Sequence, residues 1–393
     1  MPLRFLPARA ISARADRADR IDRAIAHTCL RAAAACALPL ALPVHAAPAS
    51  HGPAPSWQTV ELGRGGHHYP FPVYANVDLA NAHLDKIRHV LIIVHGLNRN
   101  GDDYFQTGAN ILALRPGADT DTLLIAPKFP AAIDRGFDKM PVWSHGRWSA
   151  GEASIKSARR PPPVSAFEVM DDLLARVADT RRLPLLQDVV IAGHSAGAQL
   201  VQRYAVFNAV DERIKRGGVS VRYVIANPSS YVYFSKDRPK DDGNSFAAFN
   251  PGQCPDYNLY KYGLDRLPAE LPPSGVGPAT PAQEAVRLAR RYAGRSVTYL
   301  LGGDDTNPEH RLLDKSCAAE AQGATRLARG KAYVNYEKWL PANHKLKIEH
   351  QAYEVAGVGH DSRRMFNSEC GVRELVGARA QAVTGAATCS PLR

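Results

Sequence analysis

Short apolar runs, each too brief for a helix of ordinary length, recur along the chain. They fall at 89–94, 122–126, 188–192, 221–226, 296–301 and 347–355. Runs of this kind, without polar alternation, are expected of strands covered on both faces. An earlier pair, 57–62 and 69–77, is split by a glycine-bearing turn at 63–66 and reads as a hairpin. Between the runs the period changes. Over 165–181 the apolar residues Phe167, Met170, Leu173, Leu174 and Val177 share one helical face, and 196–210 and 281–293 also read as helices. Strand and helix in alternation predict an α/β fold, a mostly parallel sheet with helices on both faces. Two stretches break the rhythm, 131–163 with its triple proline and 229–278, rich in Pro, Gly, Tyr and Asp. In an α/β domain such segments are expected to be lid insertions or binding loops. One domain over 57–393 carrying both insertions therefore accounts for the pattern, with 47–56 as a linker.

The first 46 residues follow a different logic. They hold seven Arg, no Lys and three Asp, then a 13-residue apolar run from 32 to 44 that ends in Val44-His45-Ala46. A basic region, a short apolar region and a small-residue end are the parts of a secretory signal peptide. The run is too short to cross a bilayer, which takes about 20 residues. No later stretch is a transmembrane candidate. The chain is thus expected to be exported, to the periplasm or beyond. Cysteine use agrees. Cys254, Cys317, Cys370 and Cys389 remain after the leader, and an even count in an exported chain suggests disulfides. Of the three pairings, Cys254–Cys317 with Cys370–Cys389 is preferred, because the second bond would fasten the C-terminal tail. The net charge of +11 is spread without a run of five like charges, and no nucleic-acid-binding motif is present, so nucleic acid is not an expected partner.

Four segments carry candidate chemistry. Gly193-His194-Ser195-Ala196-Gly197 directly follows the apolar run at 188–192 and precedes a helix. Its glycines permit a sharp turn that presents Ser195 at a helix N-terminus, with the Ala196 amide facing any oxyanion that forms. Upstream, the strand 89–94 ends in His95-Gly96-Leu97-Asn98. A glycine there lets the backbone approach a reacting carbonyl. Leu97 is the expected second oxyanion donor, and Asn98 and His194 are expected to touch substrate. The third segment is Gly302-Gly303-Asp304-Asp305, just past a late strand. A carboxylate there would orient an imidazole. Asp305 is favoured by its spacing from Gly302, with Asp304 as the alternate. The fourth, Gly357-Val358-Gly359-His360-Asp361, places a histidine after the last run, suited to take and return the Ser195 proton. Its pKa is expected near the ordinary ~6.5 or above, the aspartate raising it and burial lowering it. Metal is not expected. His67, His68 and the acidic turns lack ligand spacing such as H-E-x-x-H.

The order Ser195, Asp305, His360, with His95-Gly96 upstream, resembles the α/β-hydrolase superfamily over about residues 85–370. Val94-His95-Gly96-Leu97-Asn98, Gly193-His194-Ser195-Ala196-Gly197 and Asn227-Pro228-Ser229-Ser230-Tyr231 look most like exported bacterial hydrolases of esterase or depolymerase type. The resemblance implies an α/β-hydrolase fold and a serine hydrolase that needs no metal or organic cofactor. It leaves the substrate open, a small molecule or a polymer. Aromatic residues concentrate in the two irregular stretches, and Trp143, Trp148 and Tyr231 are expected to wall the substrate site. Carboxylic ester cleavage is the first reading. Amide cleavage and a hydrolase-like protein without turnover are the alternatives.

Overall fold

A computed structural model of the chain describes residues 56–80, 82, 84–271, 278–344, 346–378, 380–381 and 383–392. The basic leader 1–46 and all of the linker but Ser56 lie outside the described residues, as do 272–277 of the second irregular stretch. The strands are β1 Gln58–Arg64, β2 His67–Ala75, β3 His89–Val94, β4 Thr122–Pro127, β5 Asp188–His194, β6 Ser220–Ala226, β7 Asp237–Pro239, β8 Phe246–Ala248, β9 Ser296–Gly302, β10 Gln351–Val355 and β11 Cys389–Pro391. The helices are α1 Gly101–Leu112, α2 Ala118–Asp121, α3 Ala166–Val177, α4 Ala196–Phe207, α5 Val210–Arg216, α6 Pro281–Ala293, α7 Cys317–Glu320, α8 Arg326–His344, α9 Ser362–Phe366 and α10 Glu369–Val376.

Among the described residues, nine strands form one sheet in the order β1-β2-β4-β3-β5-β6-β9-β10-β11, and β7 and β8 pair separately. The strands from β4 to β10 run parallel; β1, β2 and β11 are antiparallel to their neighbours. The apolar runs sit in the middle because side chains alternate between two cores. Along β3, Val90, Ile92 and Val94 join the larger core under α3, α4, α6 and α8, whereas Leu91 and Ile93 join a smaller one under α1, α9 and α10. The same division recurs on β5, where Val189 and Ile191 face one way and Val190 and Ala192 the other. Burial on both faces removes the reason for polar alternation.

The chain leaves β3 toward β4 on one side and returns to β5 on the other. Beyond the carboxyl ends of strands at such a reversal, an open α/β sheet leaves a crevice. Here the ends of β3, β5 and β9 converge with the loop after β10.

Several boundaries differ from the sequence-based expectation. The strand expected over 347–355 begins only at Gln351. The helix expected over 196–210 stops at Phe207, because the Asn208 amide bonds back to the Tyr204 carbonyl at 2.6 Å while its oxygen caps Asp211 N–H at 3.1 Å. Helix α3 starts after Ser165, whose hydroxyl accepts from Glu168 N–H. Cys254 pairs with Cys317 and Cys370 with Cys389. Among the described residues, no helix is long and apolar enough to cross a membrane.

Candidate active site

The turn between β5 and α4 begins with two close approaches. A β-carbon on Gly193 would lie 2.4 Å from the Gly197 carbonyl carbon, and one on Gly197 would lie 2.3 Å from the Val94 oxygen. Only glycine lets β3, β5 and α4 come this close. The strand-to-helix reversal then forces Ser195 to φ 59° and ψ −119°, a region that side-chain-bearing residues seldom occupy. Ser195 N–H is held by the Ala226 carbonyl of β6 at 3.0 Å. Its main chain is therefore fixed by backbone contacts at the carboxyl edge of the sheet.

His360 follows β10 on a loop whose backbone crosses the end of β9. A β-carbon on Gly302 would lie 2.4 Å from the Val358 oxygen. Asn227, at φ 48°, ties the crossing: its oxygen accepts Gly302 N–H at 2.7 Å and its amide donates to the Gly359 carbonyl at 3.3 Å. This arrangement places His360 Nε2 2.9 Å from Ser195 Oγ and His360 Nδ1 2.7 Å from Asp305 Oδ2. Asp305 is 3% exposed, whereas Asp304 is exposed and makes a backbone bond to Val358. Of the two aspartates, only Asp305 bonds the imidazole.

The other carboxylate oxygen, Asp305 Oδ1, faces Arg326 at 3.4 Å. Arg326 is fully buried and donates also to Ser229 Oγ at 2.9 Å; its remaining nitrogen meets His310 Nδ1 at 3.3 Å. His310 Nδ1 accepts Leu312 N–H as well, so that nitrogen carries no proton. The His310 ring stands edge-on to His360 at 5.1 Å, and the buried His194 ring lies 4.6 Å from His360. His360 is thus held between two other imidazoles. Burial first, and the Arg326 charge, push the His360 pKa down from 6.5 against the opposing pull of Asp305. The direction is opposite to that expected from the aspartate alone. Burial also keeps His194 neutral, its pKa well below the ordinary value, with Nδ1 3.3 Å from Tyr104 Oη.

His95 is a strut. Its Nδ1 bonds the Gly96 carbonyl at 2.9 Å and its Nε2 accepts Phe129 N–H at 3.0 Å, which assigns the ring proton to Nδ1. Burial pushes its pKa down to about 3. It anchors a turn closed by Arg99 N–H on the Gly96 carbonyl, and Gly96 comes so near Ser195 that a β-carbon there would lie 3.7 Å from Ser195 Cβ. Leu97 and Asn98 occupy the tip of that turn. Two hollows meet at Ser195. One, of about 460 Å³, includes Leu97, Ala196, Gln199, Lys261 and Arg311; the other, of about 220 Å³, includes Leu97, Asn98, His194, Arg311 and His360.

The expected aromatic wall is not at this site. Trp143, Trp148 and Tyr231 are all fully buried and line neither hollow. Trp148 stacks on Phe129 at 5.2 Å, Trp143 donates to the Glu152 carbonyl, and Tyr231 stacks on Tyr333 at 4.4 Å. The irregular stretches use their large rings to pack themselves against the sheet, since a long connection without regular structure has few other ways to bury apolar area. Arg326, His310, Lys261 and Arg311 carry no local motif. His310 and Arg311 lie within six residues of Asp305 in sequence, whereas Lys261 and Arg326 reach the site only through the fold.

The alpha/beta hydrolase family profile matches residues 91–371. Among curated proteins none is similar in sequence. The fold is similar to that of a poly(aspartic acid) hydrolase-1 from Sphingomonas sp. KT-1, with 19% identity, a TM-score of 0.50, and 79% of this chain and 95% of that chain covered. It is also similar to that of LpqC, a poly(3-hydroxybutyrate) depolymerase from Bordetella parapertussis, with 22% identity, a TM-score of 0.49, and coverage of 79% and 87%. The profile match spans most of the chain and takes in Ser195, Asp305 and His360, and the chain belongs to the alpha/beta hydrolase family.

Proposed function

We propose that the protein is an exported serine hydrolase that cleaves carboxylic esters through an acyl-enzyme. The observation that carries this reading is the continuous chain Ser195 Oγ, His360, Asp305, with contacts of 2.9 and 2.7 Å. Asp305 accepts from Nδ1–H and leaves Nε2 as the base facing the hydroxyl. As Ser195 Oγ attacks the ester carbonyl, its proton passes to Nε2. The carbonyl oxygen becomes an anion and turns toward the Leu97 and Ala196 amides, beside which a helix N-terminus adds favourable potential. His360 then gives the proton to the departing alkoxide, and the acyl group stays on Ser195. Water then attacks the acyl carbonyl while giving a proton to the same nitrogen; the acyl–Oγ bond breaks, His360 returns the proton to Ser195 Oγ, and the acid leaves.

Arg326 acts through Asp305. It occupies the carboxylate oxygen that His360 does not use, which stops the carboxylate from rotating and lowers the basicity of the imidazole. Export is supported by the two cysteine pairs, since disulfides persist in oxidising compartments, and by the basic-then-apolar leader.

The reading is tested by hydrolysis of short- and long-acyl esters and the matching anilides by purified protein. Esters should turn over faster than anilides, and Ser195→Ala should lose several decades of rate while remaining folded. A variant retaining more than about a tenth of the rate would remove Ser195 from the mechanism.

A further inference from the structure

We propose that the site is selective for substrates bearing an anionic group, a carboxylate above all, a few bonds from the scissile ester, and that Arg311 recognises it. The inference rests on the reading of Ser195 as nucleophile.

Charge bookkeeping around the nucleophile supports it. In the larger hollow, Arg147 pairs with Glu152, and Lys261 pairs with Asp314 at 3.0 Å. Tyr262 and Ser316 also bond the Asp314 carboxylate, so the acid is fully engaged. Arg311 is left over. It is exposed, and among the described residues no carboxylate pairs with it. It borders the smaller hollow too, where none of the described lining residues is acidic. Both sides of the reacting carbon therefore feel one uncompensated positive charge.

The cation is held on a fixed piece of backbone. Leu313 N–H bonds the His310 carbonyl at 2.8 Å, Leu312 N–H bonds His310 Nδ1 at 3.2 Å, and Arg326 holds the same nitrogen. Arg311 lies between these tethers, and the buried Leu313 anchors the turn below. A planar guanidinium offered from a rigid turn suits bidentate binding of a carboxylate. The lining argues against the alternative. Among the described lining residues Tyr104 is the sole aromatic apart from histidine, and a long apolar chain laid in the larger hollow would strip water from two ion pairs.

The test compares 3-acetoxybenzoate with its neutral isostere 3-acetoxybenzamide and the cationic 3-acetoxyphenyltrimethylammonium, each rate divided by that of hydroxide. Wild-type kcat/KM should rank anion, neutral, cation, with the anion favoured about 10- to 100-fold over the neutral ester, the worth of a charge-assisted pair. Raising the salt from 0.02 to 0.5 M should shrink that ratio, because partly exposed charges are screened. Arg311→Gln should bring the ratio near one, and Arg311→Glu should invert it. A wild-type ratio near one, or a ratio unchanged in Arg311→Gln, overturns the proposal while neutral-ester turnover leaves the hydrolase reading standing. Failure to hydrolyse any of the three esters, together with failure of fluorophosphonate to label Ser195, overturns both.

Discussion

The two sides of the candidate site are built by different means. On one side, Ser195 is positioned by main chain: glycines at 193 and 197 let β3, β5 and α4 touch, and the Ala226 carbonyl holds the serine amide. On the side of His360 and Asp305, the positioning is done by side chains. Asn227 laces two loops, and Arg326 joins Asp305, Ser229 and His310. A backbone-built turn has few ways to relax, so a substitution there acts on folding. A side-chain network can lose one member and keep its shape, so a substitution there acts on protonation and orientation. The difference predicts distinct failure modes.

The largest effect belongs to the acid. Asp305→Asn should lower kcat by about 10³–10⁴ with little change in melting temperature, because the imidazole loses its orienting charge. Asp304→Asn should cost far less, since its side chain is exposed and does not bond His360. Steady-state kinetics on both variants decides the matter, and the reverse ranking would move the role to Asp304.

On the other side the readout should be stability. In Gly197→Ala the new methyl meets the Val94 and His95 carbonyl oxygens at 2.3 and 2.6 Å, and neither can withdraw without moving β3. The cost should be about 4 kcal/mol or more, seen as loss of soluble folded protein or a steep fall in denaturation midpoint. A variant that folds normally and loses only activity would erase the contrast between the two sides.

The smallest effect sharpens the comparison most. With neutral His360 as the proposed base, kcat/KM should rise with pH through one ionisation. Burial and Arg326 place its midpoint below 6.5. Arg326→Met removes one lowering influence while Asp305 still favours the cation, so the acid limb should move to higher pH. The rate on the plateau should fall about tenfold. Arg326→Lys should restore part of the shift. A lowered rate with an unmoved acid limb would reduce Arg326 to a packing residue.

Much of the fold was legible because parallel strands buried on both faces leave unbroken apolar runs, as at 89–94 and 188–192. Several helices were not, α1 and α8 the longest of them. Helix α1 has a polar composition and buries Tyr104, Thr107, Gly108 and Ile111, a face that hydrophobicity alone does not mark. Helix α8 contains Gly330 and Pro341, both helix breakers by propensity. Gly330 is needed there because a β-carbon would lie 2.6 Å from Leu301 on β9. The serine turn was readable since its geometry is written in five consecutive residues. The burial of the aromatic residues is not legible because ring composition says nothing about which way a ring faces; Trp143 and Trp148 face the core. Arg326 was invisible for another reason. An arginine at a helix start looks like a surface residue, and its contact with Asp305 appears only when α8 docks beside β9.

The central claim is that Ser195 is a nucleophile activated by His360. Its most direct test is intact-mass and peptide mapping after brief exposure to a fluorophosphonate at neutral pH. The account predicts one adduct, on Ser195, absent in Ser195→Ala and formed far more slowly in His360→Ala. Labelling elsewhere, or an unmodified Ser195 in folded protein, would contradict it.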